Sequence, residues 1–191
     1  MELPETLKLV IFDFDGTLHD MTVDWPTARR KLKVEAGESL GAAVERHKQT
    51  GHEDLINELT ILEAEALAHE RLDLKVQAVL VDISKRFKIA VFSRNSSRVI
   101  KHFLENSGIK PDMIIGREEV SRLKPDPEGL NLILEHFNYQ PNQVLLVGDT
   151  WHDIRVANDA GIKSAIVGDH YRPGEREKPD YRLAGLAELL N

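Results

Sequence analysis

Leu7-Lys8-Leu9-Val10-Ile11-Phe12-Asp13-Phe14-Asp15-Gly16-Thr17-Leu18 is an apolar run that breaks off into two carboxylates, a glycine and a hydroxyl. A segment so rich in β-branched and aromatic residues fits a strand buried on both faces of a parallel sheet. Ligands of such sheets bind beyond the carboxyl ends of the strands, which is where Asp13 and Asp15 fall. Residues two apart in extended chain point the same way, and Gly16 permits the turn that swings backbone N–H groups toward an anion. That arrangement suits a metal ion and a nucleophile. Taken alone, Asp-Gly is also ordinary turn chemistry, so the choice rests on what the other strand ends carry.

Downstream, residues 19–74 are rich in Ala, Glu, Leu, Arg and Lys, which favour helix, and read as a helical insertion. A first helix is expected from Pro26 through Ala36, stopped near Gly37, and a second over part of Ser39–Gln49. Leu55, Leu59, Leu62 and Ala66 make the apolar stripe of a third, begun by Glu53 and Asp54 and running to about Arg71. A fourth, through Val76, Val79, Leu80, Ile83 and Phe87, leads back toward the main domain.

Lys88–Ser93 is the second strand-like run, followed by polar Arg94-Asn95-Ser96-Ser97 and a helix with Val99, Ile100, Phe103 and Leu104 inside. Asp112–Gly116 reads as a short third strand, and residues 116–124 as a polar connection to Lys124-Pro125-Asp126-Pro127. There Asp126 suits an N-cap and Pro127 the first helical position. Gln143–Asp149 repeats the opening theme, a buried strand ending in Gly-Asp, with a helix expected over Asp153–Ala160. Ser164–Gly168 is a fifth strand, His170–Asp180 a surface loop, and Leu183–Leu190 a closing bit of helix. Strands alternating with helices give a parallel three-layer α/β domain, because each parallel crossover needs a connection long enough for a helix.

The 191 residues suffice for one core and a small second lobe, and a formal charge of −7 argues against a general nucleic-acid or anionic-membrane surface. With no cysteine there is no disulfide framework, thiolate metal site or cysteine nucleophile, which is compatible with a cytoplasmic protein. The first residues carry no basic signal-like region, and no apolar run reaches the ~20 residues needed to span a bilayer.

Reactive side chains stand at four strand ends or the loops after them: Asp13 and Asp15, Ser93, Lys124, and Asp149 with Asp153. A parallel sheet gathers such ends on one edge, so together they read as an active site. Individually each has a duller use: Ser93 as a helix cap, Lys124 as a solvated charge, Asp153 as an N-cap.

In order and spacing, Asp-x-Asp-Gly-Thr, a strand-terminal Ser, Lys-Pro before a helix and Gly-Asp-x-x-x-Asp resemble the haloacid dehalogenase-like superfamily. The branch they look most like is the phosphoglycolate phosphatase-type hydrolases. The resemblance covers nearly the whole chain and is weakest in the insertion. It implies a Rossmann-like catalytic core over 1–18 and 76–191, with a small helical cap at 19–75. It further implies a Mg²⁺-dependent phosphatase acting on a small phosphorylated metabolite through an aspartyl-phosphate. Asp13 would be the nucleophile and Asp15 the general acid and base. Ser93, Arg94, Asn95 and Lys124 would bind the substrate, Lys124 also neutralising charge in the transition state. Asp13, Asp15 through its backbone carbonyl, Asp149 and a supporting Asp153 would surround Mg²⁺, a hard cation that prefers oxygen ligands.

Arg94 could also grip a second anionic group bidentately or simply form a surface ion pair. His19, Asp20 and Trp25 stand at the cap entrance, where they could touch substrate or pack a hinge; His152 is not expected to be a ligand. A sugar phosphomutase shares the same core residues. So would a phosphate-binding protein without activity. A carbon–halogen hydrolase of the superfamily lacks the second carboxylate, which Asp15 supplies here. A P-loop nucleotidase is excluded by the absence of Gly-x-x-x-x-Gly-Lys-Ser/Thr. The leaving group and the oligomeric state carry no sequence signal.

Overall fold

In a computed structural model, residues 3–168 and 177–190 are described. Strands β1 (Leu9–Phe12), β2 (Lys88–Phe92), β3 (Met113–Ile115), β4 (Val144–Gly148), β5 (Lys163–Val167) and β6 (Tyr181–Leu183) form one sheet in the order β3-β2-β1-β4-β5-β6. Every pairing is parallel. The chain winds outward from β1 through β2 to β3, then returns to lay β4 on the other flank of β1. Such a reversal opens a crevice at the carboxyl ends of the two strands beside it. Register fixes what stands there: Phe12 lies opposite Val91 on one side and Val147 on the other. Asp13 and Asp149 therefore emerge side by side.

Both faces of β1 are covered, and its side chains alternate between two apolar layers. Val10 and Phe12 pack with Val91, Leu145 and Val147 in one; Leu9 and Ile11 join Ala90, Phe92 and Leu146 in the other. Burying an aromatic or large aliphatic side chain contributes about 1.5–3 kcal/mol, which fixes the strand and the place where it ends.

Helices α1 (Trp25–Lys31), α2 (Leu40–Thr50) and α3 (Glu53–Leu67) follow β1 as expected, then α4 (Leu74–Ser84), α5 (Ser97–Asn106), α6 (Glu128–Phe137) and α7 (Trp151–Asp159). Ala28, Val44 and Leu59 from the first three, with Leu32 at the C-cap of α1, are buried in the same apolar layer as Leu130 and Ile133 of α6.

Several boundaries differ from the sequence reading. α1 closes five residues before Ala36, because Lys33 adopts a left-handed φ of 48° and Val34 N–H bonds back to the Arg29 carbonyl. α3 stops at Leu67, short of Arg71. Asp73 caps α4, which begins at Leu74, two residues before the domain limit placed at 76. Asp126 does accept from Glu128 N–H at 3.0 Å, but Pro127 is the N-cap and α6 starts one residue later than expected. α7 starts two residues early, at Trp151, and Asp153 sits inside it as the third residue of a capping box with Thr150.

β6 was missed: Tyr-Arg-Leu is too short for a periodic signal, and pairing with β5 makes it a strand. Only a 3₁₀ turn at Leu186–Leu190 remains of the closing helix. Of the loop expected at His170–Asp180, residues 170–176 lie outside the described residues. Among the described residues, no helix is long and apolar enough to cross a membrane.

Candidate active site

Asp13 extends the ladder of β1, its N–H donating to the Val147 carbonyl at 2.9 Å, so its side chain leaves the sheet in a fixed direction. One carboxylate oxygen accepts from Phe14 N–H at 2.6 Å, and the other lies 2.9 Å from Lys124 Nζ. The chain then turns at Gly16, whose N–H donates to the His19 carbonyl and whose φ is +79°. A Cβ at Gly16 would lie 2.2 Å from Asp149 Oδ2, so glycine is required for both backbone and space.

Lys124, on the loop before α6, is buried. Its Nζ donates to the Phe92 carbonyl at 2.8 Å and to Asp153 Oδ1 at 2.6 Å, besides meeting Asp13. Asp153 Oδ2 accepts from both Thr150 N–H and Thr150 Oγ1, so both of its oxygens are occupied. Burial opposes ionisation of Asp153, but Lys124 and Thr150 outweigh it and hold the carboxyl below its usual value. At Asp13 burial wins over the pull of Lys124 and pushes the carboxyl up. Lys124 itself is held protonated by these two carboxylates against burial.

Asp149, at the end of β4, is different. Its Oδ1 is buried with no hydrogen-bond partner, and burial followed by the charges of Asp13 and Asp153 pushes its carboxyl up to about 7. Ligand oxygens of Asp13, Asp149 and Asp153 lie within 4.8 Å of one another. Three hard oxygen donors, one of them orphaned, match the preferences of Mg²⁺. Asp15 stands apart from this cluster: its Oδ1 accepts from Met21 N–H at 2.8 Å, and burial pushes its carboxyl up to about 6.

Ser93, at the end of β2, is buried and donates to Asn95 Oδ1 at 2.9 Å, while Asn95 N–H donates back to Ser93 Oγ at 3.3 Å. Helix capping falls instead to Ser96, the N-cap of α5. Asp13, Asp15, Ser93, Arg94, Asn95 and Asp149 line one cavity of about 520 Å³, walled on the far side by α2 and α3. Lys124 and Asp153 support its floor from behind. Asp20, Trp25 and His152 also reach the cavity, whereas the His19 ring packs 4.7 Å from Phe103.

Two residues passed unnoticed in the sequence. Arg117 lies in the stretch read as a polar connection, yet it is 1% exposed and forks onto Glu63 of α3 at 2.8 and 2.6 Å. Glu63, also 1% exposed, accepts in addition from Asn95 Nδ2 and Ser96 N–H. A Glu within a helix and an Arg in a loop normally read as solvated charges, so no local pattern marked either. The nearest cue was Glu63 following Leu59 by four on the apolar stripe of α3.

A family model described as haloacid dehalogenase-like hydrolase matches residues 10–167. A phosphoglycolate phosphatase of Vibrio vulnificus is 26% identical over 219 residues, spanning 98% of this chain and 96% of that protein. The pyrophosphatase PpaX of Listeria welshimeri is 26% identical over 199 residues, spanning 98% and 90%. Among solved structures, a predicted phosphoglycolate phosphatase from Haemophilus somnus superposes with a TM-score of 0.72 at 20% identity, over 97% of both chains, a likeness of fold.

Proposed function

This chain belongs to the haloacid dehalogenase-like hydrolases, and from that premise we propose that it is a Mg²⁺-dependent phosphatase that cleaves a small phosphate monoester through a phosphorylated Asp13. Phosphoglycolate, named for a relative of nearly full coverage, is the first substrate to consider. The observation that carries the reading is the buried meeting of Asp13, Asp149 and Asp153 around Lys124, with Asp149 Oδ1 left unpartnered.

Asp13 attacks phosphorus while its other oxygen is held by Phe14 N–H, which limits the carboxylate to one approach. The bond from phosphorus to the leaving oxygen breaks, and Asp15 gives that oxygen a proton. A carboxyl held near 6 can both carry and release a proton close to neutrality. Asp15 then takes a proton from the water that attacks the aspartyl-phosphate, returning Asp13 and releasing inorganic phosphate. Ser93 and Asn95 hold phosphoryl oxygens. Lys124 contributes fixed positive charge where negative charge gathers.

Asp13, Asp149 and the Asp15 backbone carbonyl would hold Mg²⁺, which when bound supplies charge to the phosphoryl oxygens. Asp153, with both oxygens engaged, orients Lys124 and supports that shell from behind. The helical segment 19–75 serves as the cap that selects the leaving group, and the setting is that of a cytoplasmic enzyme.

Release of inorganic phosphate from p-nitrophenyl phosphate and phosphoglycolate, with Mg²⁺ or EDTA, tests this directly. Activity is expected with Mg²⁺, at least ~10²-fold weaker in EDTA, and absent in Asp13→Asn. Turnover that survives Asp13→Asn would remove Asp13 as the nucleophile.

A further inference from the structure

Among the described residues two guanidiniums stand beside the cavity, Arg117 buried and Arg94 half-buried, and they are treated oppositely. Arg117 is neutralised by a forked ion pair with Glu63. Arg94 has no carboxylate within ion-pair distance among the described residues. Its Nε is buried without a hydrogen-bond partner. The side-chain contact it makes is from Nη1 to His152 Nε2, at 3.3 Å.

That contact balances no charge. A guanidinium only donates, so His152 Nε2 accepts through its lone pair, and an imidazole that keeps a lone pair is neutral. Its other nitrogen meets Thr150 Oγ1 at 3.3 Å, consistent with Nε2 as the acceptor. On its far side Arg94 lies against the first turn of α2, where a Cβ at Gly41 would come 2.1 Å from Nη2. The first turn of a helix carries positive partial charge, so it gives the guanidinium no relief. Asp13, Asp153 and Glu45 attract Arg94 only from a distance, and burial lowers its tendency to stay charged. A half-buried cation with its Nε unpartnered, held between a neutral ring and a helix start and facing a cavity, is costly unless an anion arrives to meet it.

Resting on the phosphatase reading above, we propose that Arg94, positioned by His152 and by the close approach of Gly41, forms a subsite for a second anionic group of the substrate. The preferred substrate is then a phosphate monoester or anhydride carrying a carboxylate or another phosphate a short distance from the phosphoryl group that is cleaved. Trp25, Leu40 and Leu59 wall part of the remaining space, and the other guanidinium of the lining, Arg117, is already paired with Glu63. Arg94 acts as a fork on an oxyanion, a geometry lysine does not reproduce.

The test compares kcat/KM for phosphoglycolate, its methyl ester and pyrophosphate in the native protein, Arg94→Gln and Gly41→Ala. Native protein favours the charged-tailed substrates over the neutral ester. Arg94→Gln lowers that preference by about 10- to 100-fold, the range for a charged hydrogen-bonded contact. Gly41→Ala keeps the charge but displaces the guanidinium, and lowers the same ratio. Preference for phosphoglycolate over pyrophosphate marks a carboxylate tail, and the reverse marks a phosphate tail. Equal losses on charged and neutral esters in Arg94→Gln would overturn the subsite.

Calorimetric binding of phosphoglycolate and its methyl ester to Asp13→Asn protein, with and without Arg94→Gln, separates the two readings. Binding of phosphoglycolate that depends on Arg94, in a protein whose native form hydrolyses nothing, sustains the subsite and overturns the phosphatase. Binding of both ligands with equal strength overturns the subsite whatever the turnover.

Discussion

At Asp149 the fold buries a carboxylate oxygen with no hydrogen-bond partner, beside the carboxylates of Asp13 and Asp153. Such an arrangement is destabilising until positive charge is added, and activity and metal-free stability therefore pull in opposite directions. Asp149→Asn is expected to raise the melting temperature of the metal-free protein by about 2–4 °C, the shift for ~1 kcal/mol in a domain of this size. Native protein is expected to melt higher with Mg²⁺, by binding of the ion to the folded state, and the same variant is expected to lose that rise. Thermal melts with EDTA and with Mg²⁺ check both expectations, and a lower melting point in EDTA would contradict them. Asp13, Asp15, Ser93, Lys124 and Asp149 were legible because each ends a strand or precedes a helix, where an apolar run gives way to one reactive group. Arg117 and Glu63 were not, because their roles arise between segments 54 residues apart and leave no trace in either one.

Among the helices, α3 bears most directly on the site. Its Glu63 binds Arg117, Asn95 Nδ2 and Ser96 N–H, so one helix side chain fixes the residues that follow β2. Removing one member of a buried pair leaves the other charge uncompensated, at a cost of about 3–5 kcal/mol. Glu63→Gln should shift the urea unfolding midpoint down accordingly, whereas Glu63→Leu with Arg117→Met should recover most of the loss. If the single substitution leaves the midpoint unchanged, the pair does not hold α3 in place. Strands β1 to β5 were legible as apolar runs and the helices from periodicity. Their ends were less so, since Lys33 turns left-handed without glycine and Thr150 rather than Asp153 opens α7. The three-residue β6 is defined by its neighbour rather than by its own pattern.

For the whole molecule, the strand order decides where chemistry can occur. Reversal between β1 and β4 sets Asp13 beside Asp149, and the helices after β1 bury apolar residues in the same layer as α6, which roofs the cavity with part of the main core. That α/β plan was legible because buried strands alternated with amphipathic helices, while the roof's attachment was not, depending as it does on tertiary packing of Ala28, Leu32, Val44 and Leu59. The same pairing pattern has a consequence in time. Leu9 pairs with Lys88 on one flank and Val144 on the other, so the strand that ends at Asp13 leaves the ribosome long before either neighbour exists. Long-range pairings of this kind form slowly because loop closure must precede any gain. In pulse-labelled hydrogen exchange during refolding, the amides of Val10 and Ile11 should gain protection together with those of Leu145 and Leu146, after the helices of 53–67 and 74–84 have begun to form. A strand made before both of its neighbours is then among the last to be secured, and until β4 arrives a nascent chain presents an open, apolar β-edge to whatever else is being synthesised nearby.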